Sequence, residues 1–217
     1  MDTINGIGGR RRAQGGFTLV EMAIVLVVIG LIIAAVSVGR DIQQSAEQAR
    51  VITWMEDWAQ AYRAYYNREG IVFGDNRDEV SLLVGGGGDN AVADQGLRDA
   101  LAAAGLSVPD SNQPNGDTFH YNPPGVSAVT LAVSFTSVED WALSDDADDE
   151  TNANVMQIDN VPGSLAAALS ARVDGANRPQ AGDVRDADQY GTFNRGADGF
   201  DAGREGGNYT VYWLMDP

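Results

Sequence analysis

The stretch "RRRAQGGFTLVEMAIVLVVIG", residues 10–30, decides how this chain is built. Three arginines lead into a glycine pair, and an apolar run then continues to about Gly39. Inside that run only Thr18, Glu21 and Ser37 are noticeably polar. About 20 apolar residues rising ~1.5 Å each cross a bilayer core, so residues 17–39 are predicted to form a membrane-spanning helix. Arginines on its N-terminal flank stay cytoplasmic, which places the C-terminal body outside the cytoplasm. A secretory signal peptide carries a shorter apolar core with its small-residue cleavage site after it. Here the small pair Gly15-Gly16 comes first, so the spacing predicts that the Arg-bearing leader, residues 1–16, is lost and the core is kept.

Glu21 is the anomaly of the span. A carboxylate within a membrane helix costs a few kcal/mol on insertion scales, and such residues usually serve a function. Cleavage after Gly16 would free the α-amine of Phe17, a cation that needs a partner once it leaves water. A Glu from a neighbouring copy would satisfy it, since opposite charges attract strongly at low dielectric. The plainer alternative is a carboxylate that reaches back to the membrane face.

The segment "GGFTLVEMAIVLVVIGLIIA", Gly15 to Ala34, resembles the N-terminus of type IV pilins and of the pseudopilins of type II secretion. The shared pattern is a short basic leader, Gly, Phe, two further residues, a hydrophobe and then Glu. The resemblance implies that a prepilin peptidase cuts between Gly16 and Phe17, that the Phe17 amine is methylated, and that Glu21 pairs with that amine during assembly. It also implies partners: further copies in a helical homopolymer, other pilin-like subunits, and an inner-membrane assembly platform with its ATPase. The chain would sit in the inner membrane first and in an extracellular filament afterwards. The alternatives are a pseudopilin of a secretion system and an anchored surface domain that binds a ligand or calcium.

Beyond the span, Ile42, Ala46, Ala49, Ile52, Met55, Ala59, Tyr62 and Tyr66 recur at gaps of three and four. That is the period of an amphipathic helix, so residues 40–69 are predicted to extend the first helix. No proline interrupts residues 17–68, and Gly70 is a plausible stop. Trp54, Trp58, Tyr62, Tyr65 and Tyr66 form an aromatic stripe, read as packing of the helix on a sheet. Residues 70–217 are predicted to be an acidic α+β head. "DQGLRDALAAAG" reads as a short helix with an Asp94 N-cap and a Gly105 stop. "VPGSLAAALSARVDG" reads as a second helix. "DTFHY", Val126–Phe135 and Asn208–Met215 read as strands, and "SDDADDETNAN" as an acidic loop. The fold class is thus α+β, a long N-terminal helix packed on an antiparallel sheet.

Composition narrows the function. The chain has 14 basic residues, all arginine, against 31 acids, for a net charge of −17. Such a surface repels phosphate backbones, so no nucleic acid is expected on the head. Without cysteine or lysine there is no disulfide, thiolate site or Walker loop. The single histidine, His120, cannot build a histidine cluster and reads as a surface or strand residue. No catalytic motif is present, and an enzyme is not expected. Two Asp-rich segments offer oxygen ligands of the kind that suit calcium. One is Asp145–Glu150; the other comprises Asp183, Asp186, Asp188, Asp198 and Asp201. A solvated acidic loop is the favoured reading of both. Asn208-Tyr-Thr is a glycosylation sequon.

Overall fold

The computed structural model describes residues 16–86, 90–123, 127–143, 150–191, 198–201 and 209–215. The chain forms two compact units, Met1–Gln43 and Gln44–Pro217. Helix α1, Leu19–Glu69, contributes to both. Within the first unit it is exposed on every side from Leu19 to Arg40. It is long and apolar enough to cross a membrane.

In the second unit the same helix is amphipathic. Val51, Trp54, Met55, Trp58, Ala59, Tyr62 and Tyr65 are buried at gaps of three and four. They pack on an antiparallel sheet built from β1 (Val92–Ala93), β2 (Thr118–Tyr121), β3 (Val129–Ala142), β4 (Glu150–Val161), β5 (Val184–Asp186) and β6 (Tyr209–Leu214). The strand order is β1-β3-β4-β6-β5, with β2 also paired to β3. Alternation sends Leu131, Val133 and Phe135, Met156 and Ile158, and Val211 and Trp213 into the core. Trp54 meets Phe119 at 5.4 Å between ring centroids, and Tyr62 stacks on Phe135 at 5.3 Å. Each such pair contributes roughly 0.5–1.5 kcal/mol beyond its buried area. The indole N–H groups of Trp54 and Trp58 both donate to the carbonyl of Gly116, at 2.7 and 3.1 Å. Gly116 has φ +79°, and a Cβ there would meet Val108 Cγ1 at 2.5 Å and the Pro109 carbonyl at 2.7 Å. Glycine is therefore required at the turn that supplies the shared acceptor.

The aromatic stripe is packing, as expected, and the two short helices are present. Helix α2 covers Asp94–Ala103 and buries Leu97 and Leu101. The Asp94 N-cap is corrected: the cap position is Ala93, no side chain bonds there, and Asp94 is the first helical residue. The helix stops as read, at Gly105. The Gly105 N–H bonds the Ala102 carbonyl at 2.9 Å and the Leu106 N–H bonds the Leu101 carbonyl at 2.8 Å, a Schellman closure. Helix α3, Gly163–Asp174, follows Pro162 and ends at Gly175 with φ +73°. Arg172 of α3 pairs with Glu56 of α1 at 2.9 Å.

Three strand readings need correction. β3 runs on to Ala142, past a register shift between Val138 and Trp141 where Asp140 has φ +58°. Residues 150–154, read within an acidic loop, open β4, a strand between β3 and β6. The remainder of that loop, 144–149, lies outside the described residues. β5 falls inside the Asp183–Asp201 segment, so that segment is not wholly loop. Beyond the β3 shift, Val138, Trp141, Ala153 and Val155 form a second small apolar cluster. Arg185 of β5 lies 4.2 Å above the Trp141 ring and donates to the carbonyls of Gly182, Ala142 and Tyr190, each at 2.8 Å. Burial pushes its guanidinium down to about 10, against the upward pull of Asp183 and Asp174. It therefore stays charged at neutral pH, as a pin among β3, β5 and the following turn.

The connection from α1 to the sheet is clamped by two buried side chains. Asp75 Oδ1 accepts from the Asn76 N–H (2.9 Å), the Ser81 hydroxyl (2.9 Å) and the Ser81 N–H (3.2 Å), and Oδ2 accepts from the Leu82 N–H (2.8 Å). Asn154 of β4 donates to the Leu82 carbonyl at 2.9 Å and accepts from the Val84 N–H at 2.8 Å. Between these clamps Leu82 is held at φ +59°, a conformation rarely adopted by residues other than glycine.

Candidate functional site

The residues singled out at the N-terminus, Gly16, Phe17 and Glu21, fall at the start of α1. Phe17 is 81% exposed. The Gly16 Cβ position has nothing within 4 Å among the described residues. Thr18 precedes the first helical residue and occupies the N-cap position. Its hydroxyl accepts from the Glu21 N–H at 3.2 Å. In return Glu21 Oε2 accepts from the Thr18 N–H at 2.7 Å and from the Thr18 hydroxyl at 2.9 Å. This is a capping box, in which cap and third helical residue satisfy each other's orphan donors. Oε1 of Glu21 has no hydrogen-bond partner among the described residues.

Thr18 was missed as a functional position. The signal was present: Thr18-Leu-Val-Glu21 immediately before an apolar run is the sequence form of a capping box. Glu21 thus has a local role at the helix start. The box uses one carboxylate oxygen and holds the side chain beside the backbone where Phe17 enters the helix.

The structure does not gather the acidic candidates into one site. Asp186 is buried in β5, with Oδ1 accepting from the Asp188 N–H at 3.1 Å. The Asp183 N–H donates to Asp174 Oδ1 at 2.7 Å. The side chains of Asp183, Asp188, Asp198 and Asp201 are exposed. Among the described residues no three acidic or histidine side chains are grouped so as to hold a metal. Asp145, Asp146, Asp148, Asp149 and Asn208 lie outside the described residues, as do Arg10, Arg11, Arg12 and Gly15. His120 sits in β2, with its backbone N–H and carbonyl both bonded by the Asn112 amide.

Residues 11–37 match the family model of the prokaryotic N-terminal methylation motif. That motif is the signature of type IV pilins and pseudopilins, and residues 11–37 carry it. The motif points to a structural subunit rather than an enzyme, and it implies processing by prepilin peptidase and assembly with other pilin subunits. It also fits membrane anchoring followed by assembly. No curated protein and no solved structure matches the chain.

Proposed function

We propose that this chain is a type IV pilin-like subunit that polymerises into an extracellular filament through residues 17–39. The observation that supports the reading is an apolar helix exposed on every side within its unit, preceded by a glycine pair and carrying near its start a carboxylate of which only Oε2 is bonded among the described residues. An apolar surface of that extent is stable only in lipid or against other apolar helices. Before assembly the helix lies in the inner membrane, with the arginine leader cytoplasmic and the acidic head on the far side. Peptidase cleavage after Gly16 exposes the Phe17 amine, which is methylated and keeps its positive charge. In the filament that amine meets Oε1 of a neighbouring Glu21, and the apolar helices replace lipid around one another.

Intact-mass measurement of the exported chain tests the processing step. A mature chain beginning at methylated Phe17 is expected, together with retention of the leader in Gly16→Val. Because a Cβ at Gly16 meets nothing within 4 Å among the described residues, that block reports the peptidase and not the fold. A mature mass beginning at Met1, or at a site after the apolar core, would overturn the reading.

A further inference from the structure

Two features of the head remain unused by this account, and they are complementary. The first is the tip of the clamped connection. Val80 is 50% exposed and Leu82 38% exposed, and both are flanked by the exposed carboxylates of Asp78 and Glu79. The backbone of Leu82 is fixed at both its N–H and its carbonyl by Asp75 and Asn154, in a left-handed conformation. The clamps hold the tip in one shape, and that shape presents its side chains to solvent.

The second feature is a groove of about 390 Å³ among α1, α3 and the end of β6. Trp213, Val173 and Ala59 contribute its apolar lining, and Arg63, Arg172, Gln60 and Glu56 its polar one, so Arg63 is the arginine of the groove left to face a carboxylate of another copy. Arg172 is paired with Glu56, whereas Arg63 has no ion pair or hydrogen bond among the described residues. In a chain of net charge −17, copies packed side by side repel one another. A contact that places carboxylates against guanidinium groups offsets that repulsion and fixes the register.

We propose that the Val80–Leu82 tip of one copy docks in the Arg63–Arg172 groove of the next, with Asp78 and Glu79 facing Arg63. This rests on the filament reading above and adds to it a lateral contact between heads. Tip and groove are different patches, so the contact is heterologous: it propagates from copy to copy rather than closing into a dimer.

The chain has no cysteine of its own, so engineered pairs are unambiguous. Full-length Val80→Cys/Gln60→Cys is expressed in cells, and sheared filaments are oxidised and run without reductant. A ladder of dimer, trimer and higher species is expected from the double variant, with monomer only from either single variant. In parallel, Arg63→Glu is expected to lower filament yield about tenfold at unchanged membrane-held subunit, and adding Glu79→Arg to restore it to within about twofold. Normal filaments without a ladder, dimers from a single variant, or failure of Glu79→Arg to rescue would each overturn the docking while leaving the filament reading intact. Wild-type cells that yield mature membrane-held subunit but no filaments on imaging would overturn both.

Discussion

Glu21 carries two separable roles, and three substitutions pull them apart. Glu21→Gln keeps a carbonyl oxygen able to accept from the Thr18 N–H and hydroxyl, as glutamine does in a capping box, but removes the charge. Thr18→Ala removes the cap and leaves the charge. Glu21→Ala removes the charge and the carboxylate half of the box, and leaves the Thr18 hydroxyl on the residue 21 N–H. Loss of the cap costs about 1 kcal/mol, a factor of about five in the population of the first turn. Loss of the partner of a buried amine costs about 3–5 kcal/mol, a factor of roughly 150 to several thousand. Sheared filaments from Glu21→Gln and Glu21→Ala cells are therefore expected to fall at least about a hundredfold, and those from Thr18→Ala less than about tenfold. Membrane-held mature subunit should persist in all three: Glu21→Gln and Glu21→Ala remove a charge from the span, which favours insertion, and Thr18→Ala leaves its charge unchanged. Quantitative blotting of the sheared and membrane fractions, with intact mass to verify cleavage, provides the measurement. Full filament yield from Glu21→Gln beside near-complete loss from Thr18→Ala would refute the pairing argument and leave only the helix cap.

Two further expectations concern the head. Gly116→Ala combines a positive φ with overlaps on Val108 and Pro109, so it should destabilise by about 2–4 kcal/mol and shift tryptophan emission to the red as Trp54 and Trp58 lose their acceptor; an unchanged Tm and spectrum would show that the turn can rearrange freely. For Asp75, burial pushes the carboxyl up, but donations from the Ser81 hydroxyl and from the Ser81, Leu82 and Asn76 amides outweigh it and leave it below the usual aspartate range. Its contribution is therefore fully present above the ordinary aspartate range and is lost as pH falls through the lower folded value. Urea midpoints measured down from pH 5 should show that loss in the wild type, whereas Asp75→Ala should be about 2 kcal/mol weaker at neutral pH and less sensitive to acid; parallel pH profiles for the two would contradict the assignment.

The start of the chain was legible because its signals are local: arginines, a glycine pair, a long apolar run and one carboxylate at fixed spacing. The amphipathic half of α1 was legible for the same reason, as heavy aromatic residues at gaps of three and four have few alternatives to a core. β4 was not. Asn152, Asn154, Gln157 and Asp159 disfavour strands, and what holds them there is distant: pairing to β3 and β6 and the clamp of Asn154 on Leu82 and Val84. β5 was hidden by its three-residue length and its acidic surroundings. Arg185 looked like an ordinary surface arginine because the Trp141 ring and the carbonyls that receive it come from residues remote in sequence. The capping box was readable from Thr18 and Glu21 alone, but a membrane carboxylate drew attention to charge before hydrogen bonding.

The shared acceptor of Trp54 and Trp58 matters once a subunit is pulled. Tension on α1 that reaches the head would load the seam between its aromatic face and the sheet in shear. Two indoles one helical turn apart grip a single carbonyl, and that carbonyl sits on a glycine turn wedged against Val108 and Pro109. Sliding α1 would have to break both donations together and drag ring edges past Phe119 and Phe135. The seam is thus built to give way all at once, like a latch, and not to creep under a load too small to open it.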